Sequence, residues 1–107
     1  MKIKTIDING LEWFDKVNGN SYHAGTVTIN FGMKSAKVFN IPFQYGYGDQ
    51  YIYSGFDVLN KELKLYKEDA NGIPWQYCKD NNIVLRTNKQ ENCLKKELKY
   101  YDPNTIQ

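Results

Sequence analysis

The pair Asn18-Gly19 constrains this chain more than any other local feature. Asn-Gly reaches positive φ at little steric cost, as the centre of a tight hairpin turn demands, so two antiparallel strands are expected to meet here. The strand that leaves the turn spans residues 21–31, where His23, Val27, Ile29 and Phe31 alternate with Tyr22, Thr26, Thr28 and Asn30. A period of two buries the first set and turns the second outward. Residues 2–8, with Ile3, Ile6 and Ile8, start the same sheet, although their alternation is imperfect.

Residues 32–36 supply a second turn, after which Phe39, Ile41 and Phe43 alternate with Val38, Asn40 and Pro42 along a third strand. Pro42 cannot donate to a ladder, which favours an edge position or the strand's end. Asp49 is placed to cap a helix running to about Tyr66, in which Ile52, Phe56, Leu59 and Leu63 fall on one face. Burying these four side chains contributes roughly 1.5 to 3 kcal/mol each, so this helix is expected to cover the sheet. Gly55 on the same stripe implies close approach between helix and sheet.

Beyond the polar residues 67–72, Pro74 suits the first position of a short helix that carries Trp75 and Cys78 and ends at Asn81 or Asn82. Ile83, Val84 and Leu85 read as a short strand. Asn88 followed by Glu91 has capping-box spacing and opens a last helix, with Leu94, Leu98 and Tyr101 on one face and Pro103 as its stop. The fold expected is therefore α+β. A three-stranded antiparallel N-terminal sheet, with residues 83–85 as a candidate fourth strand, is packed by one main helix and followed by two C-terminal helices. A chain of 107 residues suits one domain, assigned to residues 1–101, with 102–107 as a flexible tail.

Candidate chemistry is sparse. His23 is the single histidine and the only cysteines are Cys78 and Cys93, with no close-spaced pair of the kind a zinc site uses, so neither metal nor cofactor is expected. His23 reads as a strand residue whose ring is packed or hydrogen-bonded. Both cysteines fall in segments read as helical and are expected to be buried and reduced. A cysteine nucleophile would need Cys78 or Cys93 beside His23, which nothing local provides, so no catalytic residue is assigned. Glu12 and Asp15 are read as solvated or turn-capping groups. Residues 44–49 lie between strand and helix, where phosphate-binding loops lie, but lack the lysine and hydroxyl residue of a P-loop and the third glycine of a dinucleotide fingerprint.

Tyr45, Tyr47, Tyr51 and Tyr53 are too many for one face of a short element, so some are expected at the surface. There they would suit a protein partner or an unpaired base; otherwise they close the ends of the core with wet hydroxyls. Residues 79–99 form the most basic stretch, in which Lys95, Lys96 and Lys99 either touch phosphates or solvate an outer helical face. A net charge of +2 does not by itself point to a polyanion. The first ten residues lack the apolar run of a signal peptide, and no stretch approaches the roughly 20 apolar residues of a membrane span. A cytoplasmic protein without a membrane partner is expected.

Two motifs, Trp13-Phe14-Asp15-Lys16-Val17-Asn18-Gly19-Asn20-Ser21-Tyr22 and Pro42-Phe43-Gln44-Tyr45-Gly46-Tyr47-Gly48-Asp49-Gln50-Tyr51-Ile52, resemble a pattern found in small uncharacterised bacteriophage and mobile-element proteins. The resemblance implies expression inside a bacterium and action on phage or host macromolecules, and it transfers no catalytic or binding residue. His23 departs from the aromatic residue that the pattern places after the tyrosine. The expectation is a non-enzymatic phage or mobile-element accessory protein that binds a host or phage macromolecule, such as a host-defence protein, through Tyr45, Tyr47, Tyr51 and Tyr53. The alternative is a small nucleic-acid-binding module that uses exposed tyrosines with Lys95, Lys96 and Lys99.

Overall fold

A computed structural model describes residues 2–65 and 74–101. Its elements are β1 (Thr5–Asp15), β2 (Asn20–Ile29), β3 (Lys37–Tyr45), α1 (Gln50–Leu63), α2 (Pro74–Asp80), β4 (Val84–Gln90) and α3 (Lys95–Lys99). The α+β reading holds: one sheet of order β3-β2-β1-β4 is packed by α1 and followed by two short helices. The fourth strand extends to Gln90 and runs parallel to β1, so the sheet is mixed. Parallel neighbours need a crossover, which the segment containing α1 and α2 provides between β3 and β4.

β1 is one continuous strand that reaches Asp15, beyond the segment 2–8 expected to start the sheet. At the hairpin, Asp15 and Asn20 are paired and residues 16–19 form the loop. Gly19 alone adopts positive φ (70°), and Asn18 does not. Asp15 supplies what an Asn-Gly pair would otherwise have done. Its carboxylate accepts from the Val17 and Asn18 amides at 3.0 and 3.3 Å and from Asn18 Nδ2 at 2.8 Å. Those bonds, the Asn18 side chain first among them, hold the Asp15 carboxyl below its ordinary pKa.

The alternation in β2 stops at Ile29, because Asn30 turns left-handed (φ 51°) and leaves Phe31 exposed rather than buried. Asn30, expected to face outward, is fully buried. Its Oδ1 accepts from the Lys4 amide at 2.7 Å, and its Nδ2 donates to the Lys2 carbonyl and to Ser35 Oγ, both at 3.0 Å. This side chain brackets the start of β1 against the turn after β2.

The main core joins Ile6, Ile8, Val27, Ile29 and Ile41 of the sheet to Ile52, Phe56 and Leu59 of α1, with Cys78 and Ile83 beside them. A Cβ on Gly55 would lie 3.0 Å from Ile8 Cδ1, which is the close approach expected of that glycine. The helix ends at Leu63, where Lys64 turns left-handed (φ 53°) and its amide donates to the Asn60 carbonyl. It therefore stops short of Tyr66, which lies outside the described residues, as do the loop 67–72, Pro103 and the tail 102–107. Midway along the sheet Gly10 faces Gly25 across the β1–β2 ladder, and the Tyr51 ring fills the dent, with Cδ2 only 2.7 Å from where a Gly10 Cβ would stand.

A second cluster, of opposite strand parity, joins Ala24, Cys93 and Leu98 to Leu11, Trp13, Tyr22, Phe43 and Tyr101. The register between β2 and β3 shifts between His23 and Gly25, so that Pro42 and Phe43 share the space opposite Ala24. Pro42 thus sits in a bulge on an edge strand, where its missing N–H breaks no ladder bond. Cys93 is buried but not helical: it lies between β4 and α3, and its amide donates to the Glu12 carbonyl at 3.0 Å. The Asn88 capping box also fails, because pairing with Asn9 of β1 draws Asn88 into β4. The last helix begins later, at Lys95, with the Leu94 amide donating to Glu97 Oε1 at 2.6 Å.

Candidate functional site

The junction between β3 and α1 is built from the second of the two motifs. β3 ends at Tyr45, and Gly48 (φ 62°) turns the chain toward α1. Asp49 occupies the N-cap position as expected, but its side chain makes no capping bond. The helix start is instead closed by backbone, with the Gln50 amide donating to the Tyr47 carbonyl at 3.1 Å and the Ile52 amide to the Asp49 carbonyl at 2.9 Å. Around this turn Tyr45, Gly46, Tyr47, Asp49, Gln50 and Tyr53 line an open hollow of about 530 Å³.

The four tyrosines separate. Tyr47 is 69% exposed, Tyr45 59% and Tyr53 40%, and all three border the hollow. Tyr51 is buried over Gly10 and belongs to the core, not to the surface that the sequence pattern assigned it. Helical geometry is the cause: Tyr51 points at the sheet, and Tyr53, two residues on, points away. Tyr53 meets the exposed Trp75 of α2 edge to face at a centroid separation of 5.8 Å, which extends the aromatic surface beyond the hollow.

Beneath the junction lies a polar network. His23, 1% exposed, has Nε2 at 2.8 Å from Ser54 Oγ and Nδ1 at 3.3 Å from the Gly46 carbonyl. Ser54, 2% exposed, also reaches Gln44 Oε1 at 3.2 Å, while Gln44 Nε2 donates to the Pro42 carbonyl. Gly46 is required here because a Cβ would stand 2.7 Å from His23 Cε1 and 2.6 Å from Gln50 Cγ. The three contacts among His23, Ser54, Gly46 and Gln44 need three protons, whereas a neutral imidazole and a serine hydroxyl hold two. With a neutral His23 one of the three contacts therefore lacks a proton, and only the imidazolium makes all three. Burial lowers the His23 pKa; the Gly46 carbonyl and Glu12 oppose that shift, and Lys89 adds to it. The sequence reading of His23 as packed and hydrogen-bonded matches this environment, but its partners Ser54 and Gln44 carried no distinguishing pattern.

Lys89 ties the neighbouring elements together. Its Nζ donates to Glu12 Oε1 at 2.9 Å and to the Gly48 carbonyl at 3.0 Å, pairs with Glu91 at 3.4 Å, and lies 5.8 Å from the centre of the Tyr51 ring. Burial alone would lower its pKa, but the two carboxylates outweigh that and hold it above the ordinary value.

The candidate lysines lie elsewhere. Lys95 places Nζ 5.2 Å from the centre of the Trp13 ring, at the end of a row in which Trp13 stacks on Tyr22 (5.5 Å) and Tyr22 on Phe43 (5.2 Å). Tyr45 closes on Tyr22 edge to face at 5.9 Å, so this row leads back to the hollow. Tyr22, the middle ring of the row, has spent both faces on its neighbours, and a nucleobase would need a free face. Lys96 and Lys99 also lie on α3.

Both thiols are free and buried, and burial raises both pKa values, that of Cys78 to about 11. Both ring nitrogens of His23 face other partners, so the histidine and the cysteines do not assemble into a nucleophile-and-base pair. Among the described residues, no group of three histidine, cysteine or carboxylate side chains is placed to hold a metal ion, and no helix is long and apolar enough to cross a membrane. Comparison with protein-family models, curated proteins and solved structures finds no match to this chain.

Proposed function

We propose that this domain is a non-catalytic binding module that engages a partner protein at the β3–α1 junction. The observation that carries the reading is the exposure of Tyr45, Tyr47 and Tyr53 around one hollow, with Trp75 beside it. Tyrosine and tryptophan supply large contact areas at low entropic cost, and they are the residues on which binding energy concentrates. The platform beneath is rigid. Gly46 is packed on His23, and Gly48 is tied through its carbonyl to Lys89, so little ordering cost falls on the partner's arrival. The resemblance of the two motifs to phage and mobile-element proteins favours a partner among host or phage proteins, host-defence proteins included.

The nucleic-acid reading has less support, since Tyr22 has a ring stacked on each face and Lys95 is engaged over Trp13. The test is a pull-down from bacterial lysate with the wild type and a Tyr45→Ala, Tyr47→Ala double variant whose far-UV circular dichroism matches. Loss of one or more partners supports the reading. Identical partner sets would remove the hollow from the argument.

A further inference from the structure

The hollow has a definite chemical character. Its lining includes three tyrosines and one acidic residue, Asp49, and no basic residue lines it. Asp49 is exposed and, among the described residues, its carboxylate has no hydrogen-bond or ion-pair partner. The Lys89 ammonium, which reaches the Gly48 carbonyl beside this turn, is otherwise directed at Glu12 and Glu91. A helix N-terminus ordinarily favours an anion, but here the Gln50 and Ile52 amides already donate to the Tyr47 and Asp49 carbonyls. What remains is a concave site of negative charge among π-faces.

We infer that the hollow receives an arginine side chain of the partner protein, its guanidinium lying against the Tyr45, Tyr47 and Tyr53 rings and donating to the Asp49 carboxylate. Guanidinium is planar, weakly hydrated and forked, so it stacks on phenol rings and meets a carboxylate with two parallel bonds at once. A cation against aromatic faces is attracted by the ring quadrupole, and an anionic occupant would be repelled by both parts of the rim. This inference rests on the binding reading above for its biological setting, while the chemistry of the hollow can be tested without the partner.

The experiment titrates the 15N-labelled domain with the acetylated, amidated tripeptide Ala-Arg-Ala and with the same peptide carrying citrulline, which keeps the shape and loses the charge. The arginine peptide should shift the Gly46, Tyr47 and Gln50 amides and bind roughly 3- to 30-fold more tightly than the citrulline peptide, the range that a cation on aromatic faces supplies. Asp49→Asn and Tyr47→Leu should each remove most of that preference while leaving the rest of the spectrum in place. Equal binding of the two peptides, shifts confined to residues away from the hollow, or no shifts at peptide concentrations of about 10 mM would overturn it. Should the pull-down lose partners on Tyr45 and Tyr47 substitution while arginine and citrulline bind alike, the binding reading stands and the arginine assignment falls.

Discussion

The dent at Gly10 and Gly25 and the ring that fills it make a quantitative prediction. In Gly10→Ala the new methyl would lie 2.7 and 2.9 Å from Tyr51 Cδ2 and Cγ, against an optimal carbon–carbon separation of about 3.5 to 4.0 Å. The ring must move by about 1 Å within a packed core, which costs roughly 1 to 3 kcal/mol. Tyr51→Ala removes the ring altogether and should cost about 3 to 5 kcal/mol, as large aromatic truncations in cores do. Once the ring is gone the Gly10 methyl enters vacated space, and alanine in a strand interior is preferred over glycine by roughly 0.5 to 1 kcal/mol. The double variant should then match Tyr51→Ala or exceed it slightly in stability, which gives a coupling of about 1 to 4 kcal/mol between positions 10 and 51. Urea unfolding followed by circular dichroism reads this directly. At a slope of about 2 kcal/mol per M, Gly10→Ala lowers the midpoint by roughly 1 M in the wild-type background and not at all in the Tyr51→Ala background. Additive costs would refute the packing argument, since the methyl would then be meeting something other than the Tyr51 ring.

Four further outcomes are expected. Asn30→Ala removes four hydrogen bonds and a side chain suited to left-handed φ, and should destabilise by roughly 2 to 4 kcal/mol in the same assay. His23 is held below its ordinary pKa of 6.5, so the unfolded chain takes up the proton first. Stability should be full above about pH 6.5 and fall as the pH drops from there through the depressed folded value, a slope that His23→Asn removes. Within that window the Gly46 and Tyr47 amide signals should titrate with the His23 ring, because protonation supplies the proton that one of the three contacts among His23, Ser54, Gly46 and Gln44 lacks; amides that stay fixed while the ring titrates would contradict the proton count. Cys78 and Cys93 should resist Ellman's reagent near neutral pH and react fully once the chain is unfolded, since both thiols are buried and too weakly acidic to form thiolate.

Local patterns determined a good part of this protein. The period of two in β2, the stripe of Ile52, Phe56 and Leu59 in α1, the proline on an edge strand and the histidine packed in a strand all follow from neighbour-to-neighbour chemistry, which any short stretch of sequence displays. Errors appear wherever a distant segment won. Asn88 looked like a helix cap until β1 offered it a parallel partner, and Asp15 rather than an Asn-Gly pair organised the hairpin because a carboxylate satisfies several turn donors at once. Phe31 was lost to the surface when Asn30 found Lys2, Lys4 and Ser35 to bond.

The sequence by itself determined that the β3–α1 junction carries more tyrosine than a core can use, because composition and spacing are enough to count rings against available faces. Only the tertiary structure decided which rings those are. Gly10 and Gly25 meet across two strands whose pairing no local pattern records, and their dent takes Tyr51 inward, leaving Tyr45, Tyr47 and Tyr53 around Asp49. A hollow is defined by residues brought together through strand register and helix placement, and those relations are set by the packing of the whole domain.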